Sequence, residues 1–218
     1  MNWLNDLVSK FSELRIEVVI VVAVLLVAAI IGIIIFGKKD RDTAKKGWTP
    51  QQLAIGALCI SIAFILSYFR LFKMPQGGSI TLASMLPIMI FAYFFGIKKG
   101  LIVGLAYGCL QIFQDLFAVH WLQVVLDYGV AFMALAFAGL FKKKIVPGMI
   151  IAGVIRFVAH ALSGWIFFAE YAPEGQHALV YSMAYNSFVF ADMAICIVVV
   201  LLPPVKKFIN GQKDRLTA

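Results

Sequence analysis

Long apolar runs alternate with short basic breaks along the whole chain. Residues 18–36 form an uncharged run of nineteen, enough to cross a hydrocarbon core of about 30 Å. Ahead of it, Trp3, Leu4, Leu7, Val8, Phe11 and Leu14 share one helical face, with Asp6, Lys10, Glu13 and Arg15 off that stripe. Residues 1–16 therefore predict an amphipathic interfacial helix, and 17–37 an extra transmembrane helix. The charged leader is long and lacks a small-x-small cleavage site, so retention rather than signal-peptide removal is expected. Residues 38–49 make a basic linker. Thr49, Pro50 and Gln52 then supply an N-cap, a first-turn proline and a capping-box partner. Apolar segments over 51–69, 80–97, 101–116, 121–141, 146–169 and 178–202 predict six more helices. Pro87 is expected to kink the second of these. Pro203 and Pro204 are expected to stop the last, before a basic tail, 206–218.

Continuous rather than alternating apolar runs exclude a β-barrel. The fold predicted is an all-α integral membrane protein: a six-helix transmembrane core, residues 50–205, with one additional N-terminal transmembrane helix. Composition agrees. The chain is 62% hydrophobic and 14% charged with mean hydropathy +0.94, against about 25% charged in a soluble domain. The net charge of +8 does not point to nucleic acid, because the basic residues sit in the breaks rather than in a stripe interleaved with aromatics. Residues 38–46, 98–99, 142–144 and the tail hold 14 of the 19 Lys and Arg residues. Seven spans put all four segments on one side, which the positive-inside rule makes the cytoplasm. The expected location is the cell membrane, multi-pass, with the C-terminus cytoplasmic and, if the first helix is retained, the N-terminus extracellular. Cys59, Cys109 and Cys196 each lie in an apolar run without metal-ligand spacing, so they read as packing residues.

Polar groups within the apolar runs carry the functional signal. Asp127, His160, Asn186, Arg156 and Asp192 all fall inside predicted spans, where ionisable groups are costly and usually mark a ligand or ion path. Asp127, Asn186 and His160 lie about six, eight and ten residues below the outer helix ends, roughly 9–15 Å at about 1.5 Å per residue. Tyr128, Trp165, Phe168, Tyr181 and Tyr185 share that band. A carboxylate among aromatics suits a flat organic cation. Arg156 and Asp192 lie deeper, at matching depth, and are expected to form a structural ion pair. Asp115 and Glu170, near helix ends, read as solvated. The outer loop from Arg70 to Ser79, with Pro75, Gly77 and Gly78, reads as a turn-rich lid. In the first core helix, Ala57 and Ser61 are spaced small-xxx-small, a close-approach face.

Five stretches together resemble the thiamine-specific substrate-binding subunits of energy-coupling factor (ECF) transporters. They are Phe72-Lys73-Met74-Pro75-Gln76-Gly77-Gly78-Ser79-Ile80-Thr81-Leu82, Leu122-Gln123-Val124-Val125-Leu126-Asp127-Tyr128, Arg156-Phe157-Val158-Ala159-His160, Phe167-Phe168-Ala169-Glu170-Tyr171-Ala172-Pro173-Glu174-Gly175, and Tyr181-Ser182-Met183-Ala184-Tyr185-Asn186. The resemblance covers residues 50–205. It implies high-affinity capture of thiamine from outside, without chemistry, by residues of the last three helices under a first-loop lid. The implied ligand contacts are Asp127, Tyr128, His160, Phe168, Tyr181 and Asn186. Asp127 stands where some members carry Glu, and Phe168 where some carry Trp. Asp127 would be the anionic acceptor, Asn186, Tyr128 and Tyr181 the orienting polar contacts, and His160 and Phe168 the stacking rings. Phe72, Gly77 and Gly78 would belong to the lid. The resemblance also implies docking, through Ala57 and Ser61, on a transmembrane coupling protein with two ATP-binding subunits. ATP would be bound only by those partners, and no cofactor is expected.

Two other readings compete. One is a stand-alone transporter or channel for another small organic cation. The other is an intramembrane enzyme using Asp127, His160 and Ser163. GxSxG and HExxH are absent from the sequence, which argues against the second.

Overall fold

The computed structural model describes residues 47–217. The expected amphipathic helix, the extra transmembrane helix and all but the end of the basic linker lie outside the described residues. From Thr49 onward the chain forms one unit.

Helix α1 is Pro50–Leu66. Its start follows from the capping box: Thr49 Oγ1 accepts from Gln52 N, and Gln52 Oε1 accepts from Thr49 N, each at 3.2 Å. One face buries Gly56 and Ala63. Tyr107 Oη donates to the Ala63 carbonyl at 3.2 Å. The opposite face, with Leu53, Ala57, Leu58, Ser61, Ile62 and Ile65, is exposed.

The chain then departs from the all-α expectation. Strands β1 (Arg70–Lys73) and β2 (Ser79–Thr81) form an antiparallel hairpin. Gly77 and Gly78, at φ +87° and +84°, reverse the chain in a region open to glycine. Met74 N donates to the Gly78 carbonyl at 3.0 Å, closing the turn. Strands of four and three residues are too short to leave a periodic signature.

Helix α2 is Leu86–Phe95, with Pro87 in its first turn. There the missing N–H is no loss, so Pro87 begins a helix rather than kinking one. Leu86, Ile88, Met89, Phe91, Ala92 and Tyr93 are all buried, which makes α2 a core element. Gly96, at φ +86°, turns directly into α3, Ile97–Gln114. Lys98 and Lys99 open that helix instead of forming a separate break. Gly100, Gly104 and Gly108 line one face of it. A methyl on Gly104 would lie 2.6 Å from the Phe132 carbonyl oxygen, and one on Gly108 would lie 1.9 Å from that of Tyr128. The glycines thus let α3 approach its neighbour backbone to backbone.

That neighbour is α4, Trp121–Leu140. It is irregular: a π-helical segment, Val125–Val130, sits in its first half and a 3₁₀ segment, Ala134–Leu140, ends it. Helix α5 runs Ile145–Phe167. Helix α6 spans Ala178–Leu201, with a turn at Ser187 between its two halves. Among the described residues, α4, α5 and α6 are long and apolar enough to cross a membrane; α1 and α2 are shorter apolar helices.

Pro203 and Pro204 do not release the chain into a tail. They occupy the first turn of α7, Pro203–Thr217, the position proline tolerates. Helix α7 buries Ile209 and returns to α2 and the α4–α5 connection. Lys213 Nζ donates to the Tyr93 carbonyl at 3.2 Å and to that of Lys142, and lies over the Tyr93 ring. Burial lowers the Lys213 pKa to about 8.

Candidate functional site

The π-helical segment of α4 carries Asp127 and Tyr128. A π segment inserts one residue into a regular helix and often marks a functional site. Asp127 is held by three donors. His160 Nδ1 lies 2.8 Å from Oδ1, while Ser163 Oγ at 2.8 Å and Gln123 Nε2 at 2.7 Å donate to Oδ2. His160 and Ser163 share one face of α5, three residues apart. Gln123 is one turn before Asp127 and is buried. Its amide also takes in the loop after α3, donating to the Phe117 carbonyl at 3.0 Å and accepting from Val119 N at 3.3 Å.

Ser163 and His160 bind the same carboxylate. A hydrolytic triad needs the serine on the histidine and the histidine on the acid. This cluster instead orients one imidazole. With Nδ1–H given to Asp127, the neutral ring presents Nε2 as an acceptor. That nitrogen is buried and without a protein partner.

Helix α6 meets α5 at Gly164. A methyl there would fall 2.2 Å from Ser182 Oγ and 3.1 Å from Asn186 Nδ2. Without it, Ser182 Oγ donates to the Ala161 carbonyl at 2.7 Å. Asn186 Nδ2 reaches the Ser182 carbonyl (2.9 Å), Ser182 Oγ (3.2 Å) and the His160 carbonyl (3.3 Å). The Asn186 amide is thereby fixed through its nitrogen, which leaves the carbonyl oxygen for another donor.

A cavity of about 130 Å³ lies between these helices and the hairpin. That is roughly ten times the space one water needs, ~10–15 Å³. Asp127, Tyr128, His160, Phe168, Tyr181 and Asn186 all line it, as do Gly77, Gly78, Arg156 and Asp192. Phe72 does not; it is 56% exposed on β1.

The geometry corrects one expected role. Arg156 and Asp192 share the cavity but form no direct ion pair. Arg156 donates to the Ala131 carbonyl at 3.1 Å and lies 4.2 Å from the Phe132 ring centroid. Asp192 Oδ1 accepts from Thr81 N and Oγ1, both at 3.1 Å. Equal depth brought them to one level, not to one contact. The Tyr128 hydroxyl donates to the Asp115 carbonyl at 2.8 Å and accepts from Phe117 N at 3.0 Å, so it anchors the α3–α4 loop. Phe168 stacks on Phe117, centroids 5.7 Å apart at 25°.

Tyr185 holds the hairpin turn. Its hydroxyl accepts from Gln76 N at 2.7 Å and donates to the Gly77 carbonyl at 3.1 Å. Phe117 and Phe188 pack against Gly77 and Gly78. Asp115 ties down the base of the hairpin, pairing with Arg70 at 2.6 Å and Lys73 at 2.9 Å. The hydrogen bond from Lys73 and the charge of Arg70 hold its carboxyl below the usual range. A lowered folded-state value means that the clamp is complete above pH ~4 and fails as pH drops through the lowered value. Hydrogen exchange of the Met74 amide should therefore show no change in opening from this pair between pH 5 and 8. Asp115→Asn should speed it across that range.

The fold and site define a multi-pass helical membrane protein with a polar, aromatic-walled pocket closed by a hairpin. The profile of the thiamine transporter protein family matches residues 53–210, and the chain belongs to that family. Members are transporters, not enzymes, and neither is this chain. The thiamine transporter ThiT of Bacillus subtilis is 34% identical, over 62% of this chain and 82% of that protein. A solved structure of ThiT from Listeria monocytogenes has the same fold: TM-score 0.59 at 24% identity, covering 71% of this chain and 96% of that one.

Proposed function

We propose that this chain is the high-affinity thiamine-binding membrane subunit of an ECF-type vitamin uptake transporter. It captures thiamine from the extracellular side and delivers it with a separate module, a transmembrane coupling protein and two ATP-binding subunits. The observation that carries this reading is one cavity lined from α4, α5 and α6 by all six expected contacts, in a member of the thiamine transporter family. Thiamine joins a cationic thiazolium to an aminopyrimidine. Asp127 supplies the negative charge of the site through the Asp127–His160 pair. His160 Nε2 and the Asn186 side-chain oxygen accept ligand hydrogen bonds. Phe168, Tyr181 and the His160 ring offer flat faces to the rings, where cation–π attraction is worth about 2 kcal/mol or more once desolvated. The hairpin turn closes over the ligand.

In this reading residues 50–205 form six spans with both ends of that core in the cytoplasm. Exposure of Ala57 and Ser61 on α1 supports a docking face for the coupling protein. Ala57→Leu should then leave thiamine affinity intact and reduce uptake several-fold in cells that hold the whole transporter. Equal uptake would remove the docking role.

The deciding test is the small molecule that copurifies with the detergent-solubilised chain, followed by calorimetric titration. Thiamine is expected, with tight binding and a raised melting temperature. A preparation that neither carries nor binds thiamine would overturn the proposal. Liposomes holding this chain alone should accumulate no thiamine; accumulation there would favour a stand-alone transporter.

A further inference from the structure

We propose that Gln76 is a specificity-determining ligand contact, its Oε1 accepting a hydrogen bond from an N–H or O–H group of the bound organic cation. The inference rests on the thiamine-binding reading and names a contact that reading did not include.

Gln76 sits in the hairpin turn and lines the cavity. Its Oε1 is buried and has no hydrogen-bond partner. Buried polar atoms are nearly always paired, so an orphan beside a ligand-sized space is most simply explained by a donor that arrives with the ligand. The residue is not loosely placed. Its backbone N–H is held by the Tyr185 hydroxyl at 2.7 Å, and the next carbonyl accepts from the same hydroxyl at 3.1 Å. The following two glycines are walled by Phe117 and Phe188: a methyl on Gly78 would lie 2.5 Å from Phe188 Cζ. The turn can shift little without releasing these contacts.

Two other uncommitted atoms in the cavity have the same character. His160 Nε2 is an acceptor when Nδ1–H is given to Asp127. Asn186 spends its nitrogen on protein acceptors and keeps its oxygen. Acceptors from two helices and one from the lid face a ligand that must bring donors. Thiamine brings two such groups, the exocyclic amine of the pyrimidine and the hydroxyl of the ethyl tail. An acceptor on the lid, unlike those on the helices, meets the ligand only while the lid is closed. Gln76 thereby couples lid closure to the presence of a donor on the ligand.

The test is calorimetric titration of purified wild type, Gln76→Met and Gln76→Glu. Each is titrated with thiamine, with an analogue lacking the amine, and with one lacking the hydroxyl. Gln76→Met keeps length and volume but has no oxygen, and should bind thiamine about tenfold more weakly or worse. It should match wild type for whichever analogue lacks the donor that Gln76 accepts. Gln76→Glu keeps the acceptor and should retain thiamine binding. Unchanged thiamine affinity in Gln76→Met, loss in Gln76→Glu, or an equal loss for both analogues would each overturn the assignment. Wild type that does not bind thiamine would instead sink the function proposed above. Melting temperatures of the ligand-free variants, expected near wild type, establish that binding losses are not losses of fold.

Discussion

Asp127→Asn should weaken thiamine binding by more than about 100-fold, measured calorimetrically on the solubilised chain. Asp127 accepts from His160, Ser163 and Gln123 at once. An asparagine has one acceptor oxygen and an amide that can only donate. It cannot receive all three donors, so at least one turns away. If the amide faces Nδ1, the His160 proton must move to Nε2, and an acceptor for the ligand becomes a donor. The only carboxylate in this cluster is lost as well, which removes one of the negative charges that face a cationic ligand. Truncating one partner of a buried, hydrogen-bonded charge pair costs about 2–5 kcal/mol, and each ~1.4 kcal/mol is tenfold. Asp127→Glu, which keeps the charge, should recover part of the loss. Unchanged affinity in Asp127→Asn would remove this residue from the site.

Gly108→Ala should lower both the melting temperature and ligand affinity. The added methyl would sit 1.9 Å from the Tyr128 carbonyl oxygen and 3.0 Å from Phe132 Cβ. A backbone oxygen cannot swing aside as a side-chain tip can, so α3 or the π-helical segment must move. Overpacking costs about 1–3 kcal/mol, and a helical alanine returns up to about 1 kcal/mol over glycine. A net loss of about 1 kcal/mol corresponds to roughly 2–4 °C for a chain of this size. Gly129→Ala is the control. It lies in the same segment, but the nearest atom to its methyl would be Val125 Cγ1 at 4.0 Å. It should be neutral or stabilising. If the two variants behaved alike, the close seating of α3 on α4 would be disproved.

Helix positions were legible because uninterrupted apolar runs are long and the basic breaks are short. Helix ends were less so. In the sequence Pro87 suggests a kink and Pro203 a stop, yet proline in a first turn is compatible with a start, and both begin helices. The hairpin was hidden because its strands are too brief for alternation to show. In the site, depth along each span brought Asp127, His160 and Asn186 to one level, and all three line one cavity. Depth carries no information about direction around the helix, so the equal depth of Arg156 and Asp192 predicts a pair that the structure does not form. Gln123 could have been singled out: it lies four residues before Asp127, on the same helical face. Ser163, three residues past His160, is legible in the sequence as a polar group near the site, but its role as a donor to Asp127 is not. The glycines of α3, spaced four apart, carry the small-residue signal more strongly than Ala57 and Ser61 of α1. Phe117 had no such signal, because a loop aromatic declares neither its depth nor its neighbour.

The π-helical stretch Val125–Val130 has one last consequence, for how the chain tolerates insertions and deletions. It holds a surplus residue relative to a regular helix. Removing one position there would let the coil close into a regular α-helix whose flanks stay nearly in phase, because the bulge itself absorbs the surplus residue. The change would fall on the bulge: the carboxylate carried inside it would be re-aimed relative to the imidazole, while the seam of Gly104 against Phe132 stayed in place. A single-codon deletion, harmless in most surface loops, would here separate recognition from scaffold in one step.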